Sequence, residues 1–410
     1  MKAALVHDWL TGMRGGEKVL ETFCAQFPDA PIFTLVHRPG TVSPAISAHR
    51  IHPSFIDRLP GAHKSYQRYL PLFPAAIEQH DLRGFDLVLS SSHCVAKGVV
   101  VHPGTRHLCY CHTPMRYVWS AYEDYFGGGR AKAPLRWVLP FLTQYLRNWD
   151  TVTAQRVDSF AANSNHVRKR IERYYDRSAR VIYPPADVDY YTLPADTNSA
   201  AEPRTELSNE PHNETQNVTQ GGSEAEYPTD FYLVVSALVP YKRVDLVLEA
   251  IRRRPRPVVV IGDGVERRAL EAAASGDVQF IGWQPRSVLR EYYRRARALL
   301  FPGEEDFGIV PVEAQATGTP VIGWGVGGLL ETVRADVSGV FYRDATADAL
   351  AQAMAKFESA TWDRTAIRRG VLRFGPERFA AEIGAWIREE GQSGAESSPP
   401  SHFDMAGAIR

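Results

Sequence analysis

Phe301-Pro-Gly-Glu-Glu-Asp-Phe-Gly-Ile-Val-Pro-Val-Glu-Ala-Gln-Ala-Thr-Gly-Thr-Pro-Val-Ile322 decides the fold of this chain. The stretch leaves an apolar run, Ala298-Leu-Leu-Phe301, crosses a polar loop, enters a helix-forming segment and emerges in a second apolar run, Pro320 to Ile322. Strand, loop, helix and strand in that order make a parallel βαβ unit. In open sheets of such units, ligands bind beyond the carboxyl ends of the strands. The loop from Glu305 to Glu313 is predicted to lie at such an end. Pro311 suits the first turn of a helix, where its missing N–H costs nothing, and Gly318 stops that helix after about Thr317. The amides of Gly308, Ile309 and Val310 then sit at a positive helix end, available to sugar hydroxyls or a phosphate. Glu305 and Glu313 bracket the loop as paired acceptors, which suits a polyhydroxylated ligand. A surface acid beside a helix-terminal carboxylate is the plainer reading of the same spacing.

The alternation repeats on both sides. Apolar runs recur at Ala3 to Val6, Leu87 to Leu89, Val99 to Val101, Ser159 to Ala162 and Val181 to Tyr183, then at Phe231 to Val235, Val258 to Ile261 and Val278 to Ile281. Two doubly wound α/β sheets in series are expected. The 410 residues agree, since one hydrophobic core stops growing at about 250–300. The expected division is a first Rossmann-like domain over 1–190, a linker with an insertion over 191–229 and a second Rossmann-like domain over 230–375. Residues 196–229 are polar and nearly free of large apolar side chains, the composition of a disordered insertion. Its two glycosylation-like triplets, beginning at Asn213 and Asn217, read as chance in a polar tract. Phe379, Ile383, Trp386 and Ile387 follow helical spacing after Pro376, so 376–391 is predicted to be an amphipathic helix packing back on the first domain. Residues 392–410 read as a tail.

Composition excludes several classes of function. The 47 basic and 47 acidic residues cancel, which removes the electrostatic case for a nucleic-acid partner. Cys24, Cys94, Cys109 and Cys111 lie in or beside apolar runs without zinc-ligand spacing, as reduced buried thiols of a cytosolic protein would. The amino terminus lacks the pattern of a signal peptide, and no apolar run reaches the ~18 residues of a membrane span. A cytoplasmic protein is expected.

Cations and glycines gather at the same predicted edge. Lys242 and Arg243 follow the first strand of the second sheet, where a leaving diphosphate needs charge stabilisation. Gly262-Asp-Gly264 ends the next strand in a turn that allows close backbone approach to a nucleoside. Gly325-Val-Gly327-Gly328 offers further amides to a phosphate. In the first domain, Gly15 and Gly16 form a glycine loop that opens a helix, but the spacing with Gly12 is not the dinucleotide-binding G-x-G-x-x-G. His112 ends a strand in Tyr110-Cys-His-Thr-Pro-Met-Arg-Tyr-Val-Trp119, where a hydrogen-bonded core histidine is the plainer reading. Asp187-Val-Asp189 reads as a turn remote from the donor groups rather than a metal site.

These residues resemble the family 4 retaining glycosyltransferases of the two-domain GT-B architecture, whose Glu-x7-Glu signature is met by Glu305 and Glu313. The resemblance implies two Rossmann-like domains facing across a cleft and no metal or cofactor beyond a nucleotide-sugar donor. It places Glu305 and the amides after Phe307 on the transferred sugar, Glu313 on the ribose, and Lys242 on the diphosphate. Many relatives carry an arginine where this chain has Ala237, so Arg243 is expected as the second phosphate cation. The base is placed between Gly262-Asp-Gly264 and Trp283, Gly15-Gly16 faces the diphosphate, and His112 lies beside the reacting sugar. The run around His112 is similar to bacterial mannosyltransferases that use GDP-mannose to build polysaccharide repeats on a lipid carrier. The expected partners are therefore GDP-mannose and a saccharide acceptor, lipid-linked, with peripheral membrane contact through the aromatic and basic stretch 130–149. An epimerase or phosphorylase of the same architecture, a UDP- or ADP-hexose donor, and a non-catalytic scaffold remain open beside this reading.

Overall fold

The computed structural model describes residues 1–119, 135–194 and 228–393. Most of the insertion, nearly all of the tail, and residues 130–134 of the aromatic and basic stretch lie outside these residues.

The chain forms two parallel sheets in separate amino- and carboxyl-terminal domains, a GT-B arrangement. The first has the order β3-β2-β1-β4-β5-β6-β7 and the second β10-β9-β8-β11-β12-β13. The first sheet comprises β1 (Ala3–His7), β2 (Ile32–Thr34), β3 (Ile51–Pro53), β4 (Leu87–Ser92), β5 (Arg106–Cys111), β6 (Ser159–Ala162) and β7 (Arg180–Val181). The second comprises β8 (Tyr232–Val235), β9 (Val258–Ile261), β10 (Val278–Gly282), β11 (Leu299–Phe301), β12 (Val321–Trp324) and β13 (Gly339–Tyr342). All pairings are parallel, so every strand of a sheet delivers its following loop to one edge. Central strands such as β1, β4 and β9 are buried along their whole length, as helices on both faces require.

The Val99 to Val101 run is not a strand. Val99 is buried, but Val100 is exposed and the chain turns at Pro103-Gly104, while the strand pairing with β4 is β5. Strand β2, between β1 and β3, and the edge strand β3 have three residues each, too few to show a period. All four cysteines are buried and unpaired.

The last helix among the described residues, Pro376–Ser393, returns to the first sheet. Phe379, Ile383, Trp386 and Ile387 share one core with Leu5, Leu20, Phe23, Leu89 and Tyr110. At about 1.5–3 kcal/mol for each large apolar side chain, burial fixes the helix there. The Gln26 amide donates to Ala380 O at 2.9 Å, and the Trp386 indole N–H donates to Ser159 Oγ at 3.1 Å.

Candidate active site

On the second sheet, the loop after β11 turns at Gly308, whose φ of +90° belongs to glycine, and enters the helix Ile309–Ala316. The helix starts two residues earlier than the proline suggests. Pro311 falls within its first turn and supplies no N–H, so the amides at its positive end are those of Gly308, Ile309 and Val310. Phe307 is buried between Tyr183 and Phe374, with ring centroids at 5.7 and 5.2 Å, and anchors the loop.

Lys242 ends the 3-10 turn Pro240–Lys242 after β8 and makes a direct ion pair with the Glu305 carboxylate. The Arg116 guanidinium of the first domain approaches the other Glu305 oxygen at 3.6 Å. Lys242 and Arg116 also share the Tyr241 ring, at 5.4 and 5.6 Å from its centroid. Burial, and then the Arg116 charge, push the Lys242 ammonium down to about 7 against the pull of Asp306.

Arg243 is not part of this group. At φ +53° it turns the chain into the helix Val244–Arg253, and its guanidinium binds Asp245 at 3.1 Å. The second cation beside Lys242 is therefore Arg116, which sequence reading did not single out.

Asp306 ties the domains together. Arg116 Nε and Nη2 donate to its Oδ2 at 2.9 and 2.5 Å, and Arg170 Nη1 donates to its Oδ1 at 2.6 Å. Burial works to raise this carboxyl, but Arg116 and then Arg170 outweigh it and hold it below the usual range. Nearby, Glu331 of the second domain accepts from the backbone amides of Asn165 and His166 at 2.8 and 3.0 Å. It thereby caps the helix Asn165–Tyr175 of the first domain. A cation from the other domain leaves no local signal, which is why Arg116 and Arg170 were missed.

Glu313 faces the Tyr293 hydroxyl, which donates at 3.3 Å. Burial, then the Asp187 charge, raise its carboxyl to about 8, against Arg286. Asp187 is thus not remote from Glu313, one of the residues expected at the donor. It lies in the turn but also binds Arg286 at 2.6 Å and acts on Glu313.

The glycines serve mostly to let backbones meet. A Cβ on Gly262 would reach Ser236 O at 1.9 Å and one on Gly264 would reach Leu238 O at 2.3 Å, so this turn packs on the loop that carries Lys242. Gly328 would meet Asp306 O and Phe307 Cα, each at 2.4 Å, and its N–H donates to Glu305 O at 2.8 Å. The third glycine loop accordingly supports the Glu305 loop, and the Gly328 amide is already used. Trp283, beyond β10, is 61 % exposed.

On the first domain, a Cβ on Gly15 would lie 2.7 Å from Ile309 Cδ1, which places the two loops against each other. Gly16 lies over His7 and His112. His112 Nε2 is 2.8 Å from Ser91 Oγ, and burial, then His93 and His7, hold its imidazole neutral, well below the ordinary range. Asp8, fully buried, accepts the four successive amides of His93, Cys94, Val95 and Ala96 at 2.6–3.0 Å and so fixes the loop after β4.

Glu305, Lys242 and Gly308 to Val310 thus meet Gly15, Gly16 and His112 where the carboxyl edges of the two sheets face each other. Two surface recesses, about 420 and 300 Å3, lie instead at the amino ends of the second sheet, beside Pro320 and Pro257. Among the described residues no cluster of His, Cys, Asp and Glu fits a metal ion. None of their helices is long and apolar enough to cross a membrane.

Two parallel α/β sheets in separate domains, with their carboxyl edges facing each other, make a GT-B architecture. The family described as Glycosyltransferase Family 4 matches residues 13–190, and that described as Glycosyl transferases group 1 matches residues 222–370. The chain belongs to the family 4 glycosyltransferases. It is 32% identical over 189 residues to a D-inositol 3-phosphate glycosyltransferase of Frankia alni, covering 40% of this chain and 46% of the relative. The Mycolicibacterium smegmatis protein of the same name is 38% identical over 126 residues, 27% of this chain and 29% of its own. The matches thus span less than half the length of these relatives. Sucrose-phosphate synthase from Thermosynechococcus elongatus has the same fold, with a TM-score of 0.67 at 18% identity over 96% of this chain and 100% of its own. Anabaena HepE, solved with UDP and glucose, superposes with a TM-score of 0.62 at 15% identity over 95% of this chain and 99% of its own.

Proposed function

We propose that this chain is a retaining glycosyltransferase that moves a hexose from a nucleoside diphosphate to a saccharide hydroxyl. The observation that carries this reading is the meeting of Lys242, Arg116 and Glu305 at the edge facing Gly15 and His112. Lys242 and Arg116 are the cations for the donor diphosphate, and the amides of Gly308 to Val310 with Glu305 take the sugar. Glu305 then exchanges its ion pair with Lys242 for hydrogen bonds to sugar hydroxyls. Glu313, carrying its proton at neutral pH, both donates to and accepts from the ribose.

Transfer breaks the bond from the anomeric carbon to the phosphate oxygen and forms one to the acceptor oxygen on the same face. The acceptor proton passes to the departing phosphate, and the two cations stabilise the charge that develops there. Domain closure excludes water from this step.

The run around His112 favours GDP-mannose as donor. A lipid-linked acceptor and membrane contact on the cytoplasmic side are supported by Phe141 and Tyr145, exposed by 79 % and 51 % on the helix Leu135–Ala154. A thermal-shift panel of GDP-, UDP- and ADP-sugars tests the donor. Stabilisation by GDP-mannose supports the full assignment, stabilisation only by another sugar nucleotide overturns the mannose assignment, and no response to any overturns the transferase reading.

A further inference from the structure

Behind His112 lies a line of polar groups with no place in the donor scheme. Ser91 Oγ lies between two imidazoles, 2.8 Å from His112 Nε2 and 3.1 Å from His7 Nδ1. His7 Nε2 faces Glu17 Oε1 at 3.8 Å, and Glu17 Oε2 is held by the Arg14 amide at 2.9 Å. His7 and Ser91 are fully buried and Glu17 nearly so. Buried polar groups without a function are expensive, since each must find a partner.

The order of protons along the line follows from its ends. An imidazole nitrogen facing a carboxylate carries hydrogen, because a lone pair there would repel the negative oxygen. With one proton on the ring, His7 Nδ1 is then an acceptor and receives a hydrogen bond from the Ser91 hydroxyl. The Ser91 oxygen in turn accepts from His112 Nε2–H. Gly16 fits this arrangement, since a Cβ there would stand 3.3 Å from His7 Cε1 and 3.7 Å from His112 Nε2. The glycine loop that opens the helix Gly15–Gln26 thus lies directly on the line, and Glu17 belongs to its first turn. His93 stands outside it, paired with Asp8 at 3.1 Å.

We infer that Glu17, His7 and Ser91 are positioning residues that fix His112 as the Nε2–H tautomer, so that its Nδ1 meets a sugar hydroxyl as a hydrogen-bond acceptor. The catalytic part of this statement rests on the transferase reading, but the tautomer does not. A neutral histidine locked in this form orients a hydroxyl by accepting its hydrogen bond, whereas the opposite tautomer would point a donor at it.

The test is a two-bond proton–nitrogen correlation spectrum of the full chain labelled with 15N-histidine at pH 8, with His112 assigned by its loss in His112→Gln. The wild type should show His112 protonated at Nε2. Ser91→Ala and Glu17→Gln should convert it to a mixture of tautomers, and Ser91→Thr, which keeps the hydroxyl, should restore the single form. A wild-type His112 protonated at Nδ1, or one unchanged in folded Ser91→Ala and Glu17→Gln, overturns the inference. Where transfer is measured, Ser91→Ala should lower kcat about tenfold or more with donor KM little changed. The spectrum needs no substrate, so the tautomer it reports is independent of the donor and of the reaction class.

Discussion

Arg116 and Asp306 belong to different domains and meet at a single carboxylate oxygen, with Nε and Nη2 both donating to Oδ2. Arg170 holds the other oxygen, so one acid bridges two guanidinium groups. Removing it leaves the two cations with the longer contacts to Glu305, at 3.6 Å from Arg116, and Glu304, at 3.8 Å from Arg170. Breaking a buried pair from one side costs about 3–5 kcal/mol. Asp306→Ala should therefore lose about 3 kcal/mol in urea unfolding and broaden the interdomain distances seen by spin-label spectroscopy. An unchanged distance distribution would remove Asp306 as the tie.

Lys242 should be the main diphosphate cation. Lys242→Ala should reduce transfer by about 10²–10³-fold, the loss of one preorganised charge at a reacting centre, with its circular dichroism unchanged. Full activity in that variant would sink the role. The measurement is steady-state kcat with the donor found by thermal shift.

The same lysine sets a pH dependence. Burial lowers its ammonium to about 7, so it is charged below that pH and neutral above it. A diphosphate needs the charged form, and affinity for a nucleoside diphosphate should fall as pH rises from 6 to 8.5, by up to about tenfold per unit above 7. Lys242→Arg, charged throughout, should flatten the curve in titration calorimetry. A flat wild-type curve would contradict the assignment.

Glu313 acts on stability in the opposite region of its own titration. Its folded carboxyl is raised to about 8 from an ordinary 4.5, so between these values the folded state holds a proton that the unfolded chain has released. Stability should fall as pH rises through that window. Glu313→Gln, which has no proton to lose, should gain in melting temperature relative to the wild type on going from pH 5 to pH 8. A constant difference between the two proteins would show that the acid is already ionised.

Gly328 should tolerate no side chain. A Cβ there would fall within 2.4 Å of the Asp306 and Phe307 backbone, and overpacking of this kind costs about 1–3 kcal/mol. Gly328→Ala should weaken donor binding by displacing the Glu305 loop. Gly15→Ala, which meets only the movable tip of Ile309, should bind donor within a few-fold of the wild type. Equal titration curves for Gly328→Ala and wild type would show that the loop does not depend on this contact.

Much of the fold was legible because central strands are continuous apolar runs, as at Val258–Ile261. The edge strand β3, Ile51-His-Pro53, lacks such a run, β2 opens the short buried stretch Ile32 to Val36 and pairs over only three residues, and the Val99 to Val101 run, though apolar, turns before it can pair. Polar residues hid half of β4, where Ser90, Ser91 and Ser92 are buried because histidines and the Lys97 amide supply their partners. In the site, Glu305 and Lys242 could be singled out because each lies in the loop that follows a strand of the second sheet. Arg243 misled because its left-handed backbone sends the side chain to Asp245 rather than toward its neighbour's partner. Arg116 escaped because its partners lie 190 residues away and only the folded chain brings them to it.

The packing of Pro376–Ser393 onto the first sheet has a bearing on how the protein is made. The polypeptide leaves the ribosome from its amino end, so Leu5, Phe23 and Tyr110 are synthesised long before the Phe379 and Trp386 that cover them. During elongation that apolar face stays open while the whole second domain emerges. The first domain is completed only once Pro376–Ser393 has emerged, which makes its maturation follow that of the second domain and leaves its uncovered face a natural client for chaperones until then.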